Sequence, residues 1–247
     1  MFTRLLACAV VAQACLALPA RAEETSAPPS FARPDADGFI TLFNGRDLTG
    51  WMGLPDYWSV RDGAISGHQT KDDSQQTFLV LSGIRVRDFE LRFSYRFASP
   101  EGNSGLQFRS KVLDPDVYRV GGYQADFDAE GRFDGSIYDE AGVAGNRDFL
   151  SRRGERTVWD GESKRHSEPL GGADGDLGSL IRRGEWNEGV LMVKGNRALY
   201  RVNGHLMTDL IDESPTALHE GILALQLHQG FTMDVRFKDL SIKLLQP

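Results

Sequence analysis

Apolar and polar side chains alternate over short runs along most of the chain, the period-two pattern of strands that bury one face. The cleanest run is Phe89-Glu90-Leu91-Arg92-Phe93-Ser94-Tyr95-Arg96-Phe97, with five apolar side chains at every second position. It predicts a half-buried strand in an antiparallel sheet. Shorter runs lead from Ile40 through an Asn44-Gly45 turn to Trp51, and cover Thr77–Leu81, Val190–Val193, Ala198–Val202 and Gly221–His228. Trp58 to Gly67 alternates on both sides of Asp62-Gly63, a pair suited to a type I′ hairpin turn. Lys194-Gly195-Asn196 and Asn203-Gly204 read as further turns. The last run, Met233 to Leu245, slips once near Asp239, as at a β-bulge. No long stretch has the helical period. Many short strands with Gly and Asn turns define an all-β, two-sheet antiparallel jelly-roll sandwich, in which one sheet can curve into a groove.

The central strands differ from the others in what they carry on the second face. Leu106 and Phe108, then Tyr123, Ala125 and Phe127, then Ile137 share one face. The other holds Gln107 and Arg109, then Gln124 and Asp126, then Tyr138 and Glu140. These are side chains that orient a polar ligand, where a solvated face would carry a mixture of Lys, Glu and Thr. The stretch is therefore the expected floor of a sugar-sized site. In the Gly221–His228 run, Leu223, Leu225 and Leu227 point to the core, and Gln226 and His228 to the other side. Residues 141–185 are rich in Gly, Arg and Asp, show little periodicity and contain Trp159. They read as a long binding loop or lid over the domain.

The N-terminal region stands apart. Arg4, an apolar run from Leu5 to Leu18 and Ala20-Arg21-Ala22 have the layout of a secretory signal peptide cleaved after Ala22. The run is too short to cross a bilayer, so no transmembrane segment is expected. Residues 23–36, with Pro28, Pro29 and Pro34, read as a disordered tether, and residues 37–247 as one domain. The protein is expected to be secreted or periplasmic. Cys15 follows Ala12-Gln13-Ala14, a poor match to an acylation site. Both cysteines, Cys8 and Cys15, leave with the signal, which removes disulfides, thiolate catalysis and Cys-bound zinc from the mature chain. The signal also takes two arginines and no acid, so the net charge falls from −7 to −9. That balance disfavours nucleic acid and suits a neutral carbohydrate or a bound cation.

Several segments together resemble the 3-keto-disaccharide hydrolase domain family. They are Phe39-Ile40-Thr41-Leu42-Phe43-Asn44-Gly45-Arg46-Asp47-Leu48-Thr49-Gly50-Trp51, Asn103-Ser104-Gly105 with Phe108-Arg109, and Gly122-Tyr123-Gln124-Ala125-Asp126. To these are added Trp186-Asn187, Val202-Asn203-Gly204, Leu225-Gln226-Leu227-His228 and Val235-Arg236-Phe237-Lys238-Asp239-Leu240. The resemblance implies a concanavalin-A-like lectin/glucanase sandwich acting on glycosides oxidised to a ketone at ring C3. Where the family usually has Tyr-Glu-x-Gln, this chain has Tyr123-Gln124-Ala125-Asp126, which marks a subgroup.

A 3-keto group acidifies the C2 proton, so the C1–O bond can break by elimination and water can add to the enone. That route needs a base, a stabiliser of enolate charge and an acid. Asp126, Glu140 and His228 are the candidates for proton transfer. If a divalent cation takes part as a Lewis acid, the same three are its candidate ligands. Arg109, Gln124, Tyr138 and Gln226 are candidates to hold hydroxyls or the enolate oxygen, and Trp159 to form a stacking platform. A retaining glycosidase of this fold would need a nucleophile at the position of Gln124, which an amide cannot supply. Plainer readings stand beside these. Asp126 and Arg109 would make an ordinary cross-strand ion pair, His228 a structurally hydrogen-bonded ring, and Asn103-Ser104-Gly105 a turn. Trp51, Trp58 and Trp186 fit packing roles. Arg147, Arg152, Arg153 and Arg156 fit a solvated surface, or a cover for the groove. A non-catalytic carbohydrate-binding module using the same face is the alternative to the enzyme.

Overall fold

The structure is a computed structural model and describes residues 33–73, 75–171 and 176–246. The expected signal peptide and tether residues 23–32 lie outside the described residues. Arg33 to Ala36 are exposed and outside any strand.

One sheet contains β2 (Trp51–Met52), β5 (Thr77–Leu81), β7 (Asn103–Asp114), β8 (Arg119–Asp128), β9 (Ser136–Glu140), β10 (Phe149–Ser151) and β16 (Ile222–Leu227). Its order is β10-β9-β8-β7-β16-β5-β2. The second contains β1 (Ile40–Thr41), β3 (Trp58–Arg61), β4 (Ala64–Gln69), β6 (Phe89–Phe97), β11 (Glu155–Trp159), β12 (Arg165–Pro169), β13 (Asn187–Lys194), β14 (Arg197–Val202), β15 (His205–Asp212) and β17 (Met233–Leu244). Its order is β12-β11-β15-β14-β13-β6-β17-β4-β3, with β1 on β17. Among the described residues, β11 with β15 is the one parallel pair.

Alternation places the core. Phe89, Leu91, Phe93, Tyr95 and Phe97 of β6 are all buried against Leu106, Phe108, Tyr123, Phe127 and Ile137 of the opposing sheet. Full burial of such side chains is worth roughly 1.5–3 kcal/mol each. Tyr95 stacks on Phe127 with ring centroids 4.2 Å apart, joining the two layers. Asp62 and Gly63 both have positive φ, as a type I′ turn requires. The slip expected near Asp239 is a shift in the β17–β6 register between Lys238 and Ser241, with Asp239 at φ 53°.

Residues 141–185 are not the loop that their composition suggests. They contain β10, β11, β12 and a short 3₁₀ turn, Leu177–Leu180. β11 joins the sheet through its distant parallel partner β15, a pairing that local periodicity does not reveal. β12 (Arg-His-Ser-Glu-Pro) is an exposed edge strand with no apolar residue to mark it as a strand. β15 carries no simple alternation because Thr208, Asp209 and Asp212 are buried with Met207 and Leu210.

Candidate active site

The register of the seven-stranded sheet sets the site. Gln107, Gln124 and Tyr138 lie opposite one another on β7, β8 and β9. Asp126 lies opposite Gly105, and Glu140 opposite Gly122. Gly105 is required there, because a Cβ would stand 2.4 Å from the Gln124 side chain that lies across it. Gln107 in turn donates from Nε2 to Gln124 Oε1 at 2.5 Å, and Ser110 donates to Gln107 Oε1 at 2.8 Å. An amide network thus builds the floor.

Above it opens a cleft with a cavity volume of about 530 Å³, within the usual range for a small-ligand site. Asn103, Gln124, Asp126, Tyr138 and Glu140 line its polar part, with Gln76 and His228 at one side. Phe133, Phe149 and Phe231 supply apolar walls. Phe149 packs edge-on to Tyr138, with centroids 5.2 Å apart, and Arg152 covers its ring at 4.1 Å.

Glu140 is held by two amides. Its carboxylate accepts from Gln76 Nε2 at 2.8 Å and from Gln226 Nε2 at 2.9 Å. β9 and β16 are three strand spacings apart, about 14 Å in a flat sheet. Contact between their side chains therefore means that the sheet curls around the cleft. Burial raises the Glu140 pKa, against the two amides and the charges of His228 and Arg119. Burial holds Asp126 well above the usual carboxylate range, so the protonated acid is favoured. The Asn103 amide, 3.4 Å away, opposes this, and the charges of Asp134, Asp128 and Glu140 add to the rise. Burial thus raises both carboxyl groups, but two amide donors oppose the rise at Glu140, whereas neighbouring acids add to it at Asp126.

Gln124, Asp126, Tyr138, Glu140 and His228 converge on the cleft, and Gln226 reaches it through Glu140. Arg109 does not. A bulge in β7 between Phe108 and Lys111, with Arg109 at φ 50°, takes it out of the alternation. Its guanidinium is buried and donates to the carbonyls of Arg87, Gly195 and Leu218 and to Asp88 at 3.0 Å. The cross-strand pair with Asp126 is accordingly absent. Trp159 is not a platform either. On β11 it is packed in the core, donates from Nε1 to Leu150 O at 2.9 Å and lies under Arg147. Arg147 is itself buried and paired to Asp212 at 2.6 Å, and Arg153 donates to the Gly131 and Asp134 carbonyls. The arginine cluster is therefore partly structural.

Among the described residues, no three His, Asp or Glu side chains gather as a metal site would require. Both Glu140 oxygens already accept amide N–H groups. Asp126, Glu140 and His228 are therefore not gathered around one point in this arrangement. Asn103 proves to be a strand residue lining the cleft, not a turn former. Gln76 and the three phenylalanines were not legible as site residues: Gln76, Phe133 and Phe231 flank strands, Phe149 opens β10 within the segment read as a loop, and none carries a motif. Asp128, two positions beyond Asp126, accepts from the backbone N–H groups of Arg132 and Phe133 and shapes the loop that brings Phe133 to the cleft.

An antiparallel sandwich with a sugar-sized, carboxyl-bearing cleft on one sheet is the class that fold and site define. Residues 38–243 match the 3-keto-alpha-glucoside-1,2-lyase-like domain, and the chain belongs to that family. A 3-keto-disaccharide hydrolase of Bacteroides thetaiotaomicron is 25% identical, aligned over 85% of this chain and 80% of that protein. Two crystal structures of provisionally assigned glycosyl hydrolases from Parabacteroides distasonis share the fold. One has a TM-score of 0.55 at 19% identity, covering 85% of this chain and 95% of the other. The second has a TM-score of 0.52 at 16% identity, covering 84% and 99%. Among the described residues, no helix is long and apolar enough to cross a membrane.

Proposed function

We propose that the protein cleaves 3-keto-glycosides in the Glu140–Asp126 cleft by elimination followed by hydration. The observation that carries this reading is the pair of carboxyl groups lining one cleft, Glu140 held by two amide donors and Asp126 buried beside other acids, within a family named for lyase chemistry on 3-keto-glucosides. Glu140 takes the C2 proton. The neutral acid of Asp126 donates a hydrogen bond to the C3 oxygen as enolate charge develops, in the manner of a carboxylic acid kept protonated by its surroundings. The enolate then re-forms the C3 carbonyl, the C1–C2 double bond forms and the C1–O bond breaks. His228 protonates the departing oxygen. Water next adds its oxygen to C1, giving a proton back to His228, while Glu140 returns its proton to C2. The sum is hydrolysis with both side chains reset. The phenylalanine walls support the apolar ring faces and exclude water. Export to the periplasm or the medium, expected from residues 1–22, belongs to the same proposal.

The test is incubation of purified protein with a 3-keto-disaccharide, following reducing-sugar release with and without chelator. Release that persists with chelator and is lost in Glu140→Gln is expected. Tight binding of the keto-sugar with no release would instead make the cleft that of a carbohydrate-binding module. Release abolished by chelator and restored by a divalent cation would replace the acid–base route with a metal-assisted one.

A further inference from the structure

A second cavity, of about 320 Å³, adjoins the cleft and shares Gln76 with it. Asp114, Val117, Arg119 and Gln229 line its far side. Three observations place the boundary between the two cavities at Glu140. Gln76, which lines both, donates directly to Glu140. The consecutive residues His228 and Gln229 line one cavity each. Arg119 lies close enough for its charge to act on the Glu140 carboxylate. The two volumes also differ in character: the first has three phenylalanines, whereas the second is lined mostly by amides and charged groups. One point of its wall is anchored, where Thr77 on β5 donates from Oγ1 to Val117 O at 3.0 Å. Arg119 and Gln229 are exposed, and among the described residues neither side chain has an ion-pair or hydrogen-bond partner, so both can turn to a ligand in this cavity.

We infer that the second cavity is the leaving-group subsite and that it selects a hydroxyl-rich sugar over an apolar aglycone. A saccharide bound there would lie across Gln76, with its oxidised ring in the phenylalanine-walled cleft and its C1–O bond beside Glu140 and His228. This inference rests on the proposed function.

Its test compares a 3-keto-disaccharide with methyl 3-keto-glucoside, whose leaving group is too small to fill the second cavity, at a pH where activity is level. A hydrogen bond from a charged donor is worth about 1.5–3 kcal/mol, or roughly ten- to hundredfold. In Arg119→Ala, kcat/KM for the disaccharide is expected to fall by about tenfold or more, and far less for the methyl glycoside, with Gln229→Ala giving a smaller loss of the same kind. Inhibition by the free leaving sugar should weaken in both variants. Equal losses on the two substrates, or no loss on either, would overturn the subsite while leaving the reaction in place. Wild-type protein inactive on both would remove the proposed function and the subsite together.

Discussion

Glu140 and Asp126 illustrate how the same functional group acquires two roles from its neighbours. Two amides facing Glu140 favour the anion, while burial and three nearby acids favour protonation of Asp126. The sign of each shift fixes the expected pH profile. Below the raised pKa of Glu140 the base is protonated and the rate falls as pH falls; above that of Asp126 the acid is lost and the rate falls as pH rises. A bell-shaped kcat/KM profile is expected, its limbs belonging to the coupled pair. Glu140→Gln should lower kcat by about 10²–10⁴-fold, the usual worth of a positioned base, with ligand binding retained in calorimetry. Asp126→Asn keeps a donor but cannot ionise, so the variant should be slower and its high-pH limb should be displaced from that of the wild type. Asp126, Glu140, Gln124 and Gln226 were legible because strand alternation sorts side chains by face. Arg109 was not, because one bulge residue at positive φ breaks that rule.

At the scale of strands, the bulge and the β11 insertion turn expected ligand contacts into structural ones. Gly221 packs so closely on the bulge that a Cβ would come within 2.3 Å of Ser110 O. Arg109→Ala would strip the donor from three carbonyls and from Asp88, and a broken buried pair typically costs about 3–5 kcal/mol. A lower denaturation midpoint in urea is expected. Trp159→Ala should likewise cost about 3–5 kcal/mol through a cavity under Arg147, with KM unchanged in the folded fraction. A rise in KM without loss of stability would restore the platform role. The strands from β6 to β9 and from β16 to β17 were legible because their apolar faces are complete. β11, β12 and β15 were not, because long-range pairing and buried polar groups support them instead.

At the scale of the whole molecule, one buried carboxyl ties the two sheets together. Asp134, in the β8–β9 connection, accepts from the Tyr95 hydroxyl on the opposite sheet and from the Asp128 N–H at 3.1 Å. Burial pushes its pKa from 3.8 up to about 7. The folded state therefore holds a proton that the unfolded chain has released between pH 4 and 7. This contribution to stability is complete below the unfolded pKa, declines as pH rises through that window, and is lost above about pH 7, an effect on the order of a few kcal/mol. Asp134→Asn should flatten that decline in pH-dependent denaturation, though Asp126 retains part of it. The sandwich as a whole was readable from turn and strand spacing, whereas the curl that brings Glu140 to Gln76 and Gln226 emerges only once seven strands are assembled.

The claim at the centre of this account is that Glu140 removes the C2 proton. The most direct measurement is kcat/KM for a 3-keto-disaccharide carrying deuterium at C2 against the unlabelled sugar. Elimination predicts a several-fold slower reaction of the labelled substrate, and equal rates would contradict the account and assign release to direct attack at C1.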